Sequence, residues 1–244
     1  MLKHPTSTIK TTVILILATL VSTAVFATGA TIAYPSGIKL GGAAGYNGKA
    51  NVANSPYWQA NDYYNMKSNE HLSILSNFET YQQTTEYTCG PASAVMVLNH
   101  FGVTSNELAI AAAAGTTAAA GSNTQQLVNY FKSMGWKVES SLSVKPTPTL
   151  KLFRDYISAG KPVLVEWVDW GGHWEVAIGY DTMGTPNESD DVIIFADPYD
   201  ISDHLQDGYY TYSAERFYYM WMLSSHTTDP ENMRDKQWIV ATPQ

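Results

Sequence analysis

The chain has one cysteine, and the residue types around it suit thiol chemistry. Cys89 begins Cys89-Gly90-Pro91-Ala92-Ser93, where the pattern turns helical. A thiol at a helix N-terminus faces unpaired amides and the positive end of the helix dipole, which favour the thiolate. The thiolate is the nucleophilic form. Gly90 removes bulk beside the sulfur, so that a carbonyl can approach. Gln83, six positions earlier, carries a side-chain amide that with the Cys89 backbone N–H would form an oxyanion hole; the adjacent Gln82 is the alternative donor.

A thiolate nucleophile needs an imidazole to move its proton. His173 follows a flexible Gly171-Gly172 pair at the start of a β-rich run, between Trp170 and Trp174. His71, His100, His204 and His226 compete for the role, and His100 lies late in the same helix as Cys89. Asp197, in Ala196-Asp197-Pro198, ends the next β-rich run. If the two runs are antiparallel neighbours, Asp197 can accept from the His173 Nδ1 and fix its tautomer. Asp169, Asp181 and Asp200 are rivals.

The elements that must hold these groups follow from periodicity. Residues 89–101 place Ala92, Val95, Leu98 and Phe101 at helical spacing, with Pro91 in the first turn and Gly102 as the stop. Thr104-Ser105-Asn106-Glu107 fits a capping box for a helix through Ala114. Ser122-Asn123-Thr124-Gln125 opens a third helix with Leu127, Tyr130 and Phe131 on one face, and residues 150–158 form a fourth before Gly160. Then the period changes to two. Residues 162–168, 173–180, 192–196, 209–212 and 238–241 read as strands, with a helix over 214–222. Helices first, then a mostly antiparallel sheet, predicts an α+β fold.

Residues 13–26 are apolar, preceded by Lys3 and Lys10 and followed by Ala27, the pattern of a signal peptide spanning 1–27. A retained anchor is the alternative, but the run falls short of the ~20 apolar residues of a comfortable span. The mature chain is then expected to be secreted or periplasmic, and free of the membrane. Residues 28–70 contain Gly37, Gly41, Gly42, Gly45 and Gly48 and lack a period. They read as a linker, a pro-segment, or an irregular arm packed through Tyr57, Trp58, Tyr63 and Tyr64. The domain proper is expected over 71–244.

Composition sets limits. Hydrophobic residues make up 45% and charged residues 15%, which excludes a disordered polar chain. A net charge of −8 argues against a nucleic-acid partner. A lone cysteine excludes an internal disulfide framework and a cysteine-rich zinc site, and in an exported chain it points to either an intermolecular bridge or a reactive thiol. Asp197, Asp200, Asp203 and Asp207 are irregularly spaced and read as a solvated acidic loop rather than a calcium site. No cofactor is expected.

Taken together, Gln83, Cys89-Gly90-Pro91, Gly172-His173-Trp174 and Asp197-Pro198, in that order, resemble a papain-like cysteine peptidase of the double-glycine-leader (bacteriocin-processing) family. The resemblance covers about residues 75–244. It implies a papain-like fold with Cys89 as nucleophile, His173 as base, Asp197 as orienter and Gln83 as oxyanion donor, acting on a peptide or isopeptide bond. The membrane helices and ATPase of the transporter-linked members do not follow here, so leader removal need not be the task. Phytochelatin synthases are similar over the same segments, which adds glutathione hydrolysis or transpeptidation as the second reading. A third is a silent papain-like binding module, its groove built from Trp167, Trp170 and Trp174. The substrate and oligomeric state have no signature in the sequence.

Overall fold

A computed structural model describes residues 29–145, 147–221 and 236–244. The expected signal peptide and His226 lie outside the described residues. Helix α1, Cys89–His100, is buried from Cys89 through Leu98. It is apolar nearly all round, as a helix enclosed on every side must be. Gly102, in the left-handed region, ends it and allows the Val103 N–H to close on the Leu98 carbonyl at 2.9 Å.

Helix α2, Glu107–Ala114, starts differently from the capping-box expectation. Asn106 is the cap, its side chain accepting from the Ala109 N–H at 3.0 Å, and Glu107 turns inward. Helix α3, Thr124–Ser133, has the reciprocal capping box of Asn123 and Gln126. Its buried face is Leu127, Val128 and Phe131, with Tyr130 only partly covered. Helices α4, Lys151–Ser158, and α5, Ala214–Met220, match the remaining expected helices to within two residues.

The sheet has seven strands: β1 Leu72–Ile74, β2 Lys137–Ser140, β3 Val163–Trp167, β4 His173–Asp181, β5 Val192–Ala196, β6 Tyr209–Ser213 and β7 Gln237–Thr242. The order is β2-β7-β3-β4-β5-β6, every pairing is antiparallel, and β1 joins the end of β4. The α+β expectation is met. Strand β4 organises the site. It pairs with β3 from His173 and with β5 up to Ala196, so His173 and Asp197 emerge at the same end of the sheet. Helix α1 crosses the same strand, the Ser93 hydroxyl donating to the Trp174 carbonyl at 3.1 Å.

Residues 29–70 form an irregular packed arm. The N–H groups of Ile32, Gly41 and Ala44 donate to the carbonyls of Thr80, Thr84 and Gln83 at 2.9, 3.0 and 3.0 Å. Ala43 and Ala44 are buried, and Tyr63 and Tyr64 pack on the core, whereas Tyr57 and Trp58 stay exposed. The packing is therefore carried by small residues and backbone bonds more than by the expected aromatic quartet.

Gly208 shows how tightly the loop after β5 is tied to the segment before α1. It sits at φ +83°, its N–H donates to Asp200 at 2.8 Å, and its carbonyl accepts the Asp197 N–H at 2.9 Å. A Cβ there would fall 2.4 Å from the Thr80 Cβ. Gly208→Ala is therefore expected to cost about 3 kcal/mol, combining left-handed strain with overpacking, read as a lower urea midpoint at unchanged m-value.

Candidate active site

Cys89 is the first residue of α1, and Thr88, the residue that caps it, makes no side-chain cap bond. The Thr88 hydroxyl is engaged elsewhere, donating to Glu107. Pro91 has no N–H to offer, so the first N–H groups that this helix end presents beside the thiol are those of Cys89 and Gly90. Gly90 has a different task from the one expected. A Cβ on it would lie 3.0 Å from the Ser122 Cβ and 3.3 Å from Leu127, so its bareness lets α3 and its cap pack against α1.

His173 is buried at the start of β4, and its Nε2 lies 2.6 Å from Asp197 Oδ1. The expectation of Nδ1 as the nitrogen facing Asp197 is thus corrected. Asp197 sits just past β5, diagonally across from His173, and this register presents the far ring nitrogen. Nδ1 is left for the thiol. Burial works against a charged ring, but the charge and hydrogen bond of Asp197, then the Cys89 sulfur, outweigh it and raise the His173 pKa well above the ordinary 6.5. Asp197 Oδ1 also accepts the Tyr199 N–H at 2.7 Å.

Gln83, Cys89 and His173 line one cavity of about 290 Å³, walled by Trp170, Trp174 and Tyr199 and by the small residues 118–122. Gln83 is clamped by its backbone N–H on the Pro198 carbonyl at 2.8 Å. One of its two Nε2 hydrogens goes to the Thr85 carbonyl at 2.7 Å, which leaves the other for the cavity. Gln82 is spent on structure, its amide bridging the Asp197 carbonyl at 2.8 Å and the Asp200 N–H at 3.1 Å.

The rivals separate by position. His100 packs on Phe78 and Phe101, with Nε2 3.1 Å from the Gly160 carbonyl. His71 faces Glu70 on the surface, and His204 bonds Ser55. Asp181 ends β4 far from His173 and bonds the Met183 N–H. Asp169 is near enough to feel His173, yet the imidazole bonds Asp197. The expected solvated loop is also corrected: Asp200 and Asp207 are buried, because the Gly208 and Tyr209 N–H groups turn inward onto them. Burial pushes Asp207 up to about 7, and burial followed by the neighbouring Asp203 raises Asp200.

Among the buried carboxyl groups to which sequence reasoning gave no place in the site are Glu107 and Glu175. Glu107 is fully buried and accepts from the Thr84 N–H at 2.9 Å, the Thr84 hydroxyl at 2.8 Å, the Tyr81 hydroxyl at 3.0 Å and the Thr88 hydroxyl. It gathers the whole segment from Tyr81 to Thr88, which carries Gln83. Glu175 is fully buried beneath the His173–Asp197 pair, with neither oxygen hydrogen-bonded. Burial, then the charge of Asp197, raises its carboxyl well above the usual range and favours the neutral acid. His173, Glu175 and Asp197 bring ligand-capable atoms within 4.8 Å, the one such group among the described residues. Two of the three already bond each other, and the third favours its protonated, weakly ligating form.

Comparison with known proteins gives a consistent picture. Residues 75–228 match the model of the family described as Peptidase_C39 like. Among solved structures, the peptidase domain of Streptococcus ComA, a bi-functional ABC transporter involved in a quorum-sensing pathway, is 20% identical with a TM-score of 0.47, over 68% of this chain and 99% of that one. A C39-like peptidase from Bacillus anthracis is 15% identical with a TM-score of 0.45, over 72% and 99%. A double-glycine-motif protease from an AMS/PCAT transporter, in complex with the leader peptide, is 14% identical with a TM-score of 0.44, over 68% and 91%. No curated protein matches the sequence.

Two outcomes follow from this geometry. Glu107→Gln replaces an acceptor-only group with one that presents N–H to hydroxyls already aimed at it. It should lower stability by about 3 kcal/mol and slow iodoacetamide alkylation of Cys89, both measured on the same samples. Asp197→Asn removes the charge that raises His173, leaving burial to lower it. An imidazole with a raised folded pKa contributes stability that is complete below about pH 6.5 and is lost as pH rises through the folded value. The variant should therefore lose stability relative to the parent at and below about pH 6.5, with the gap narrowing above. NMR titration of the ring should place its pKa lower.

Proposed function

The chain belongs to the Peptidase C39-like family, and on that premise we propose that it is an exported cysteine peptidase that hydrolyses peptide or isopeptide bonds through a thiol acyl-enzyme. The observation that carries this reading is the convergence of the chain's only cysteine, a buried imidazole–carboxylate pair and a side-chain amide on one cavity. In the first step the Cys89 sulfur bonds the substrate carbonyl carbon. The oxygen takes up negative charge between the Cys89 N–H and the free Gln83 Nε2 hydrogen. The tetrahedral adduct collapses, the C–N bond breaks, and the His173 Nδ1 proton passes to the leaving amine. Neutral His173 then takes a proton from water, whose oxygen attacks the thioester. The C–S bond breaks, the acid product leaves, and the imidazolium–thiolate state returns.

Asp197 holds the ring through Nε2, so that Nδ1 alone travels between thiol, amine and water. The single thiol suits an exported protein, because no neighbouring cysteine can capture it as a disulfide. Export itself rests on the apolar run of residues 13–26 and the small residues after it.

The test pairs chemistry with turnover. Iodoacetamide at pH 6 should alkylate Cys89 about tenfold faster or more than N-acetylcysteine, as expected of a thiol with an imidazole at hand to take its proton. A fluorogenic peptide library should be cleaved, and Cys89→Ala should lower turnover by at least about 1,000-fold. Alkylation at the model-thiol rate with no peptide cleaved would sink the proposal. Glutathione turnover without peptide cleavage would replace it with the transpeptidase reading.

A further inference from the structure

Next to the thiol cavity lies a second one of about 460 Å³, which the proposed chemistry does not use. Trp170 and Tyr199 line both, their ring centroids 5.0 Å apart, so the two spaces share an aromatic wall. The arm contributes Tyr57 and Trp58, and strands β3 and β6 contribute Trp167 and Tyr210. Among the described residues the lining holds Asp169, Asp197 and Asp203 and no Lys, Arg or His. Asp197 is paired with His173, while Asp169 and Asp203 form no salt bridge among the described residues.

Three features of this cavity ask for a ligand. Tyr57, Trp58 and Trp170 expose large ring areas at this cavity, 80%, 52% and 58% respectively, the kind of clustered apolar surface that marks a binding site. Burial raises both unpaired carboxyls, so a cation between them would relieve a standing cost. Trp167 is buried, and its indole N–H has no hydrogen-bond partner. The chain already rests a cation on a ring of this wall, the Arg216 guanidinium lying 5.8 Å from the Tyr212 centroid.

We propose that this cavity is a specificity subsite for a cationic side chain of the substrate, an arginine above all, with its guanidinium over the Trp58 and Trp170 rings and its charge met by Asp169 and Asp203. A carbonyl of the same peptide would accept from Trp167. The planar guanidinium suits both aromatic faces and carboxylates better than an ammonium does. The identity of the guest as a peptide rests on the peptidase reading; the cation preference rests on the cavity alone.

The two are separable by experiment. In the full chain carrying Cys89→Ala, tryptophan fluorescence should report binding of N-acetyl-arginine methylamide about tenfold or more tighter than its neutral isostere N-acetyl-citrulline methylamide. Asp203→Asn and Trp58→Ala, each on that background, should each weaken arginine binding more than citrulline binding and so erase most of this ratio. Trp58 is exposed, so its variant keeps the fold. With catalytically active protein, matched peptides bearing arginine or citrulline beside the cleaved bond should differ about tenfold in kcat/KM. Equal binding of the two probes, or equal loss of both in the variants, overturns the subsite. So does binding of chitotetraose without an arginine preference, which would assign the cavity to glycan. An arginine preference in binding with no peptide hydrolysed by the active protein keeps the subsite and removes the peptidase reading.

Discussion

A fully buried acidic side chain that forms no salt bridge among the described residues is the constraint on which the Cys89 side of the site depends. Glu107 sits at the start of α2, and its desolvation has to be offset by donors. The donors come from one stretch of chain: the Tyr81 hydroxyl, the Thr84 N–H and hydroxyl, and the Thr88 hydroxyl. Satisfying Glu107 therefore dictates the path of residues 81–88. Gln83 lies inside that path, and Cys89 follows directly. The same bonds take the Thr88 hydroxyl away from the helix end, which keeps the first amides of α1 open towards the thiol. Glu107 thus positions the Gln83 amide, the Cys89 thiol and the helix end that faces the thiol.

The imidazole side is governed by a second electrostatic balance. Burial alone would leave His173 neutral; Asp197, bonded to Nε2, reverses this. Asp197 is held in turn by the Tyr199 N–H on its carboxylate, and through its backbone by Gly208 and Gln82. Glu175 would upset the balance if ionised beneath the pair. Its burial without partners keeps the proton on it, and the negative charge stays on Asp197, where the imidazolium can use it.

Much of this was legible in the sequence where local signals are strong. Asn123 announces α3, and the glycines at 102 and 160 mark helix ends by the left-handed conformation they adopt. The unbroken apolar run of 192–196 is β5 to the residue. Strand β1 is three residues long and β2 is a half-exposed edge with the polar sequence Lys-Val-Glu-Ser, so neither shows a period. Glu107 has the residue type of a capping box and the location of a core hub, and only the tertiary position of Thr84 and Thr88 decides between them. The imidazole nitrogen facing Asp197 depends on strand register, which no motif encodes. The acids after β5 look solvated by composition and are buried because a left-handed glycine turns two N–H groups onto them.

The arm belongs to this frame. Its N–H groups at Ile32, Gly41 and Ala44 occupy the carbonyls of Thr80, Thr84 and Gln83, all buried residues. Gln206, from the loop beyond Asp197, fastens it further by donating to the Ala43 carbonyl at 2.6 Å and accepting the Gly48 N–H at 2.7 Å. Backbone carbonyls left bare in a buried segment carry a desolvation cost, which water entering the gap offsets only by loosening the packing. Removing the arm would therefore relax the backbone that carries Gln83, besides uncovering it. A segment shed on activation should mask a finished site; this one holds the backbone that carries Gln83 and builds one wall of the neighbouring cavity. Its bonds make it an integral part of the fold, with Tyr63 and Tyr64 on the core and Tyr57 and Trp58 on the second cavity.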